Sequence, residues 1–181
     1  MAKRSSFGFV IAALVFALDQ LVKSVVTGPL NINRIGDQLV LLPIFNFTYT
    51  ENQGISLGLL NATNPIGRWL LVALTGAIAI AVAVWITREK NRVEQVGLGM
   101  VLGGALGNIL DRVRFGYVVD FADLHFRGIP EHLCPSFENG LCRPFLVFNV
   151  GDAAISIGVV ILLLRAFVSR KDRPEETVEH A

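Results

Sequence analysis

A chain of 181 residues is long enough for one domain, but 52% hydrophobic residues and a mean hydropathy of +0.55 are too apolar for an ordinary soluble one. The formal net charge of +1 says nothing about nucleic acid, and no basic patch suggests it. A membrane protein is the first expectation.

In chain order, four apolar segments are expected to span, at about 6–26, 69–86, 96–112 and 148–164. A spanning helix needs about 20 mostly apolar residues. The second segment qualifies outright, because nothing between Trp69 and Thr87 is charged. Asp111 and Asp152 cut the third and fourth, which therefore span only if those carboxylates face protein or water. Lys and Arg set the expected orientation. Nine of the sixteen basic residues lie in 1–6, 87–94 and 165–181, so these stretches, including the tail 166–181, are expected to be cytoplasmic. The loops 27–68 and 111–147 then face outward.

Lys3-Arg4 followed by an apolar run resembles a signal peptide, but Asp19 and Lys23 interrupt the run. It reads as a retained first span. Asp19 and Lys23 lie one helical turn apart, and a structural ion pair closing the helix end is the plain reading. After Gly28-Pro29, Leu39 to Glu51 reads as one strand with Phe45, Phe47 and Tyr49 on a two-residue period. A small sheet on the membrane surface, aromatic side toward the interface, is expected. Glu51 to Gly54 is a turn, Ile55 to Leu60 an interfacial segment, and Asn61 to Pro65 a turn into the second span.

The third span carries Gly99, Gly103 and Gly107 at the spacing of a close helix contact. Asn108, Asp111 and Arg112 share one face at its end. The loop after Phe121 holds both cysteines, and Cys134 with Cys142 is expected to form a disulfide that stiffens the loop without taking part in catalysis. A zinc site of His125, His132, Cys134 and Cys142 matches no usual spacing, so no metal and no cofactor are expected. His125, His132 and the tail's His180 read as ordinary loop or tail residues.

With this topology Asp19, Asp111, Asp120 and Asp152 all fall at the outer face, while the cytoplasmic halves of the spans hold almost nothing ionisable. A transporter needs polar groups along a path across the bilayer; this chain offers them at one end. Two aspartates held close cannot both ionise easily, so one keeps a proton, the arrangement that activates water and protonates a leaving amine. The single-residue alternative is a helix cap or an ion pair, such as Asp111 with Arg112. A serine–lysine peptidase using Lys23 with Ser24 or Ser56 is a second enzyme reading, weakened because adjacent helical side chains point about 100° apart. A non-enzymatic scaffold or transporter is the third.

Asp19-Gln20-Leu21-Val22-Lys23, Asn52-Gln53-Gly54, Gly103 to Arg112, Val118-Val119-Asp120-Phe121 and Phe148-Asn149-Val150-Gly151-Asp152-Ala153, in this order across four spans, resemble bacterial lipoprotein signal peptidase, signal peptidase II. The resemblance implies an intramembrane aspartyl endopeptidase. It would remove the signal peptide of a prolipoprotein just before its diacylglyceryl-modified cysteine. Asp120 and Asp152 would be catalytic. Asn52, Gly54, Asn108, Arg112, Asn149 and Ala153 would support substrate or dyad, and Asp19, Lys23 and Asp111 the structure. The same match implies an all-α membrane fold with a small extracytoplasmic β-sheet, lipid-modified prolipoproteins and membrane lipids as partners, and inhibition by globomycin-type cyclic peptides. It further implies a monomer in the bacterial inner membrane, with its active site at the extracytoplasmic face. Gln53 to Leu57 and the long loop 121–146 depart from the family pattern, which bears on lid and pocket rather than on the dyad.

Overall fold

The structure, a computed structural model, describes residues 6–54, 65–138 and 140–171. The expected interfacial segment at 55–60, the turn from Asn61 and most of the C-terminal tail lie outside the described residues. Among the described residues there are four helices long and apolar enough to cross a membrane: α1 (Ser6–Thr27), α2 (Pro65–Arg88), α3 (Arg92–Arg114) and α4 (Val150–Lys171). The shortest of them, of 22 residues, reaches about 33 Å at about 1.5 Å per residue, enough for a hydrocarbon core of about 30 Å. Each continues past the apolar run that announces it, because helix geometry does not stop where hydropathy does.

α3 lies at the centre. Half of its apolar window is buried, against 22% or less in the other helices. Its glycines make this possible. Gly99, Gly103 and Gly107 lie against α1, and Gly97 and Gly104 against α4. A Cβ on Gly104 would strike the Gly151 carbonyl and one on Gly107 the Asp19 carboxylate, so backbones and polar groups approach where side chains would hold them apart. α2 enters α3 through a tight turn in which Asn91 Oδ1 caps the helix, accepting from Val93 N at 2.8 Å and Glu94 N at 3.3 Å.

The sheets gather where α1 and α3 end and α4 begins. Instead of one strand over 39–51 there are two, β1 (Gln38–Leu42) and β2 (Phe45–Asn52), paired antiparallel. Pro43 has no N–H to give a ladder, and the chain turns there. β3 (Val118–Leu124) completes the order β1-β2-β3. The aromatic side of β2 does not face the membrane interface. Phe45, Phe47 and Tyr49 pack on a core of Val26, Ile32, Val119 and Phe121, with Phe47 edge-on to Phe121 at 5.4 Å. It is β1 that exposes apolar side chains, Val40 and Leu42 most of all.

The loop after β3 contains a second sheet where the sequence reads only as loop. β4 (Phe126–Arg127), β5 (Ser136–Glu138) and β6 (Leu141–Arg143) pair in the order β4-β6-β5, with a 3-10 turn at Glu131–Leu133. Strands this short carry no readable period. Cys134 and Cys142 are joined across this unit, their Cα atoms 5.5 Å apart.

Candidate active site

Four elements deliver polar side chains to the sheet end of the bundle. α1 brings Asp19 and Lys23. Lys23 Nζ lies 2.8 Å from Asp19 Oδ2 and 2.8 Å from Asp111 Oδ2 of α3, and donates to Asn108 Oδ1 at 3.3 Å. All of these groups are buried. A buried ammonium is tolerated only with such partners. Asp111 therefore pairs with Lys23 and not with Arg112. Gln20, to which the sequence assigns no part, donates to Asp19 Oδ2 and to Asp111 Oδ1, each at 3.1 Å.

The same carboxylates organise the neighbouring backbone. Asp19 Oδ1 accepts from Gly151 N at 2.8 Å, satisfying an unpaired donor in the first turn of α4. Asp111 Oδ2 accepts from Val119 N at 3.2 Å and fixes the start of β3. Phe148 then folds back on β3, its carbonyl accepting from Ala122 N at 2.7 Å and its N–H donating to Ala122 O at 3.1 Å. This bridge sets the N-terminus of α4 beside Asp120.

Asn149 and Asp152 form a reciprocal cap. Asp152 N donates to Asn149 Oδ1 at 2.9 Å, and Asn149 N donates to Asp152 Oδ2 at 3.3 Å. The spacing of three that the Asn-x-x-Asp run shows in sequence is thus the spacing of a helix start. Asn149 Nδ2 also donates to Asp120 Oδ1 at 2.6 Å and to Asn108 Oδ1 at 3.1 Å. Asn108 Nδ2 donates to Asp152 Oδ1 at 2.8 Å. Two amides therefore tie both aspartates into one network.

Asn52 reaches Asp120 because β2 is bulged. Phe47 pairs with Ala122 and Thr50 with Asp120, three steps on β2 against two on β3. The extra residue puts Asn52 on the face of β3 that carries Asp120, and Asn52 Nδ2 donates to Asp120 Oδ2 at 3.0 Å. Gly54 N holds that amide by donating to Asn52 Oδ1 at 2.9 Å, at a φ of +101° that favours glycine.

Asp120 is 1% exposed, and burial, with the neighbouring charge of Asp152, raises its pKa to about 7 despite the Asn52 and Asn149 amides, which lower it. Arg112 is close enough to Asp152 and Asp120 to interact with their charges, and its Nε is buried with no hydrogen-bond partner among the described residues. Asp152, less buried than Asp120, opens with Ala153 onto an apolar cavity of about 300 Å³ between the end of β3, residues 145–148 and α4.

Other residues singled out from the sequence fall elsewhere. Cys134 and Cys142 are joined in their disulfide and offer no thiolate. Ser24 Oγ donates to Gln20 O at 2.7 Å and does not meet Lys23 Nζ; Ser56 lies outside the described residues. His132 is exposed, but His125 is no ordinary loop residue: it is 5% exposed and its Nδ1 has no partner among the described residues. A further polar residue of the region, Asp123, is missed from the sequence; it is buried and paired with Arg143 Nε at 3.0 Å. Its spacing of three from Asp120 is the available signal, since on a strand it sends the two side chains to opposite faces.

Comparison with known proteins agrees with this assembly. The chain is 49% identical over 162 residues to a lipoprotein signal peptidase of Sphingopyxis alaskensis, covering 90% of this chain and 86% of that one. It is 46% identical over 173 residues to a lipoprotein signal peptidase of Rhizorhabdus wittichii, covering 95% and 92%. A bacterial membrane enzyme solved by the in meso method at 2.3 Å resolution superposes with a TM-score of 0.72 at 26% identity, covering 95% of this chain and 94% of that chain. The profile described as signal peptidase (SPase) II matches residues 11–168, a stretch that holds every polar side chain of the cluster, and this bacterial membrane protein belongs to the signal peptidase II family of peptidases.

Proposed function

We propose that this chain is an aspartyl endopeptidase that cuts the signal peptide from lipid-modified prolipoproteins just before the diacylglyceryl-modified cysteine, with Asp120 and Asp152 as the dyad. One observation carries the reading: Asn149 joins, through its amide and its backbone N–H, a buried carboxyl whose pKa is raised to about 7 and a second carboxyl that opens on an apolar cavity. Unequal protonation of two carboxyls is what this chemistry requires.

In this scheme Asp152, the more exposed of the two, is the carboxylate, and Asp120, whose burial favours the protonated form, is the acid. Asp152 takes a proton from water as the oxygen attacks the scissile carbonyl carbon. Asp120 gives its proton to the carbonyl oxygen. On collapse the C–N bond breaks, Asp152 returns its proton to the leaving amine, and Asp120 recovers one from the diol. Arg112, with Asn52 and Gly54, faces the substrate backbone, while Asp19, Lys23 and Asp111 hold the elements that carry the dyad.

The polar cluster lies at one end of the bundle, and the distribution of basic residues supports the reading that this end lies at the extracytoplasmic face of the inner membrane. The substrate's acyl chains stay in lipid and fix the depth of the cysteine. A globomycin-type cyclic peptide would compete for the same cleft, and a monomer suffices because every group of the site comes from one chain.

Separate Asp120→Asn and Asp152→Asn variants test the dyad, with purified protein in detergent and a lipidated prolipoprotein followed by gel shift. Both are expected to remain folded and to lose cleavage by several orders of magnitude. A folded Asp152→Asn variant that cleaves at the wild-type rate would sink the aspartyl reading, and with it leave a scaffold or another nucleophile to be sought.

A further inference from the structure

We infer that Arg143 and Asp123 are specificity-determining positioning residues for the substrate's lipid: the ion pair between half-buried Arg143 and buried Asp123 holds the segment whose Phe145 and Leu146 wall the apolar cavity beside Asp152. This inference rests on the peptidase reading above and names what the cavity receives.

Asp123 and Asp120 stand three residues apart on β3 and face opposite ways. Asp120 faces the start of α4. Asp123, 1% exposed, accepts from Arg143 Nε of β6 at 3.0 Å and from Thr48 Oγ1 of β2 at 3.0 Å. A carboxylate so buried is costly unless paired, so the pair fixes where β6 sits against β3. Cys142, beside Arg143, is paired in register with Phe126 and Phe137 and closed by the disulfide, so Arg143 is held from its own side as well. The catalytic strand and the second sheet are joined at this point.

Two residues beyond Arg143 the chain presents Phe145 and Leu146, 62% and 84% exposed, over the cavity. Opposite them stand Leu124, Ala153 and Ile157, and Asp152 is the charged group of the lining. From Ile157 the apolar face of α4 continues through Val160 and Leu164, both more than half exposed, at helical spacings of three and four. The cavity is thus the upper end of a lipid-facing stripe. An acyl chain rising along that stripe reaches Asp152 without crossing water, and the occupant we assign is an acyl chain of the diacylglyceryl group. A side chain of the leader peptide gains nothing from continuity with the stripe.

Full-length protein in nanodiscs, with prolipoprotein peptides carrying long-chain or short-chain diacylglyceryl groups, tests this. Phe145→Ala/Leu146→Ala, at exposed positions where folding is not at stake, is expected to lower kcat/KM for the long-chain substrate about tenfold, equivalent to losing contact with about two methylenes, with part of the loss in kcat because the chain also sets the depth of the cysteine. The loss should shrink with the short-chain substrate. Arg143→Gln should do the same, and Arg143→Lys, which keeps a charged donor, should restore part of the loss. An unchanged kcat/KM in the folded double variant overturns the inference, as does an equal loss for both chain lengths, which would point to the leader peptide. If the wild-type protein cleaves neither substrate, it is the peptidase reading that fails.

Discussion

Asn149 divides its side chain between a helix and a dyad. Oδ1 caps Asp152 N while Nδ2 donates to Asp120 and Asn108. Asn149→Ala is expected to cost about 1 kcal/mol as a lost cap, yet to lower kcat by far more than that stability loss explains, because Asp120 loses its Nδ2 donor while the turn that carries Asp152 loses its cap. Thermal melts beside turnover numbers separate the two effects. Asp120 makes a second prediction at this scale. Its folded pKa of about 7 lies above the ordinary aspartate value of 3.8, so the folded protein binds the extra proton between those limits and its stability falls as pH rises through them. The melting temperature of Asp120→Asn relative to wild type should therefore move in the variant's favour from pH 5 to pH 8. Wild-type kcat/KM should fall above about pH 7 as Asp120 loses its proton. A flat profile from pH 6 to pH 9 would contradict the protonated role. Asp120, Asp152 and Asn149 stand out in sequence because carboxylates and amides beside apolar runs are rare. Asp123 and Gln20 do not, since their partners, Arg143 and Asp111, are set by strand faces and helix packing that no local spacing encodes.

At the scale of elements, apolar length and glycine spacing are enough to read the helices, whereas the sheets are only half legible. Pro43 breaks what reads as one strand, and the bulge after Phe47 defeats any argument from a strict two-residue period. The strands of the second sheet are too short to show a period, and although the disulfide across them is foreseeable, the Arg143–Asp123 pair that ties them to β3 depends on a partner 20 residues away. The glycines of α3 supply a quantitative test. Gly107→Ala places a methyl against the Asp19 carboxylate and should destabilise by about 1–3 kcal/mol through overpacking. Gly76→Ala, on α2 with nothing within 4 Å of the new methyl, should be neutral or stabilising by up to about 1 kcal/mol. Denaturation of the two variants in one detergent compares them; equal destabilisation would mean that α3 is not closely packed on α1.

For the molecule as a whole, the buried carboxylates and the amides that bind them gather at one end of the bundle, the end that the proposed topology turns outward. Reporter fusions after Arg92 and Gly128 should report cytoplasmic and extracytoplasmic positions respectively, and the reverse result would invert the proposed active-site face. In the proposed scheme lipid acts as a positioning device, so a prolipoprotein lacking the diacylglyceryl group should be cleaved far more slowly even at saturation. Equal maximal rates would refute that account while leaving the dyad in place. The bond from Gly151 N to Asp19 joins residues 132 positions apart, the first helix to the last. During synthesis the first helix must therefore enter the bilayer long before its partner exists. In that interval Lys23, one turn away, is the neutralising company Asp19 has within its own helix, and the pair travels as a unit until α3 and then α4 arrive. On the proposed reading a nascent chain has no complete site until its final helix is made, so this peptidase would become competent only after its own insertion is complete.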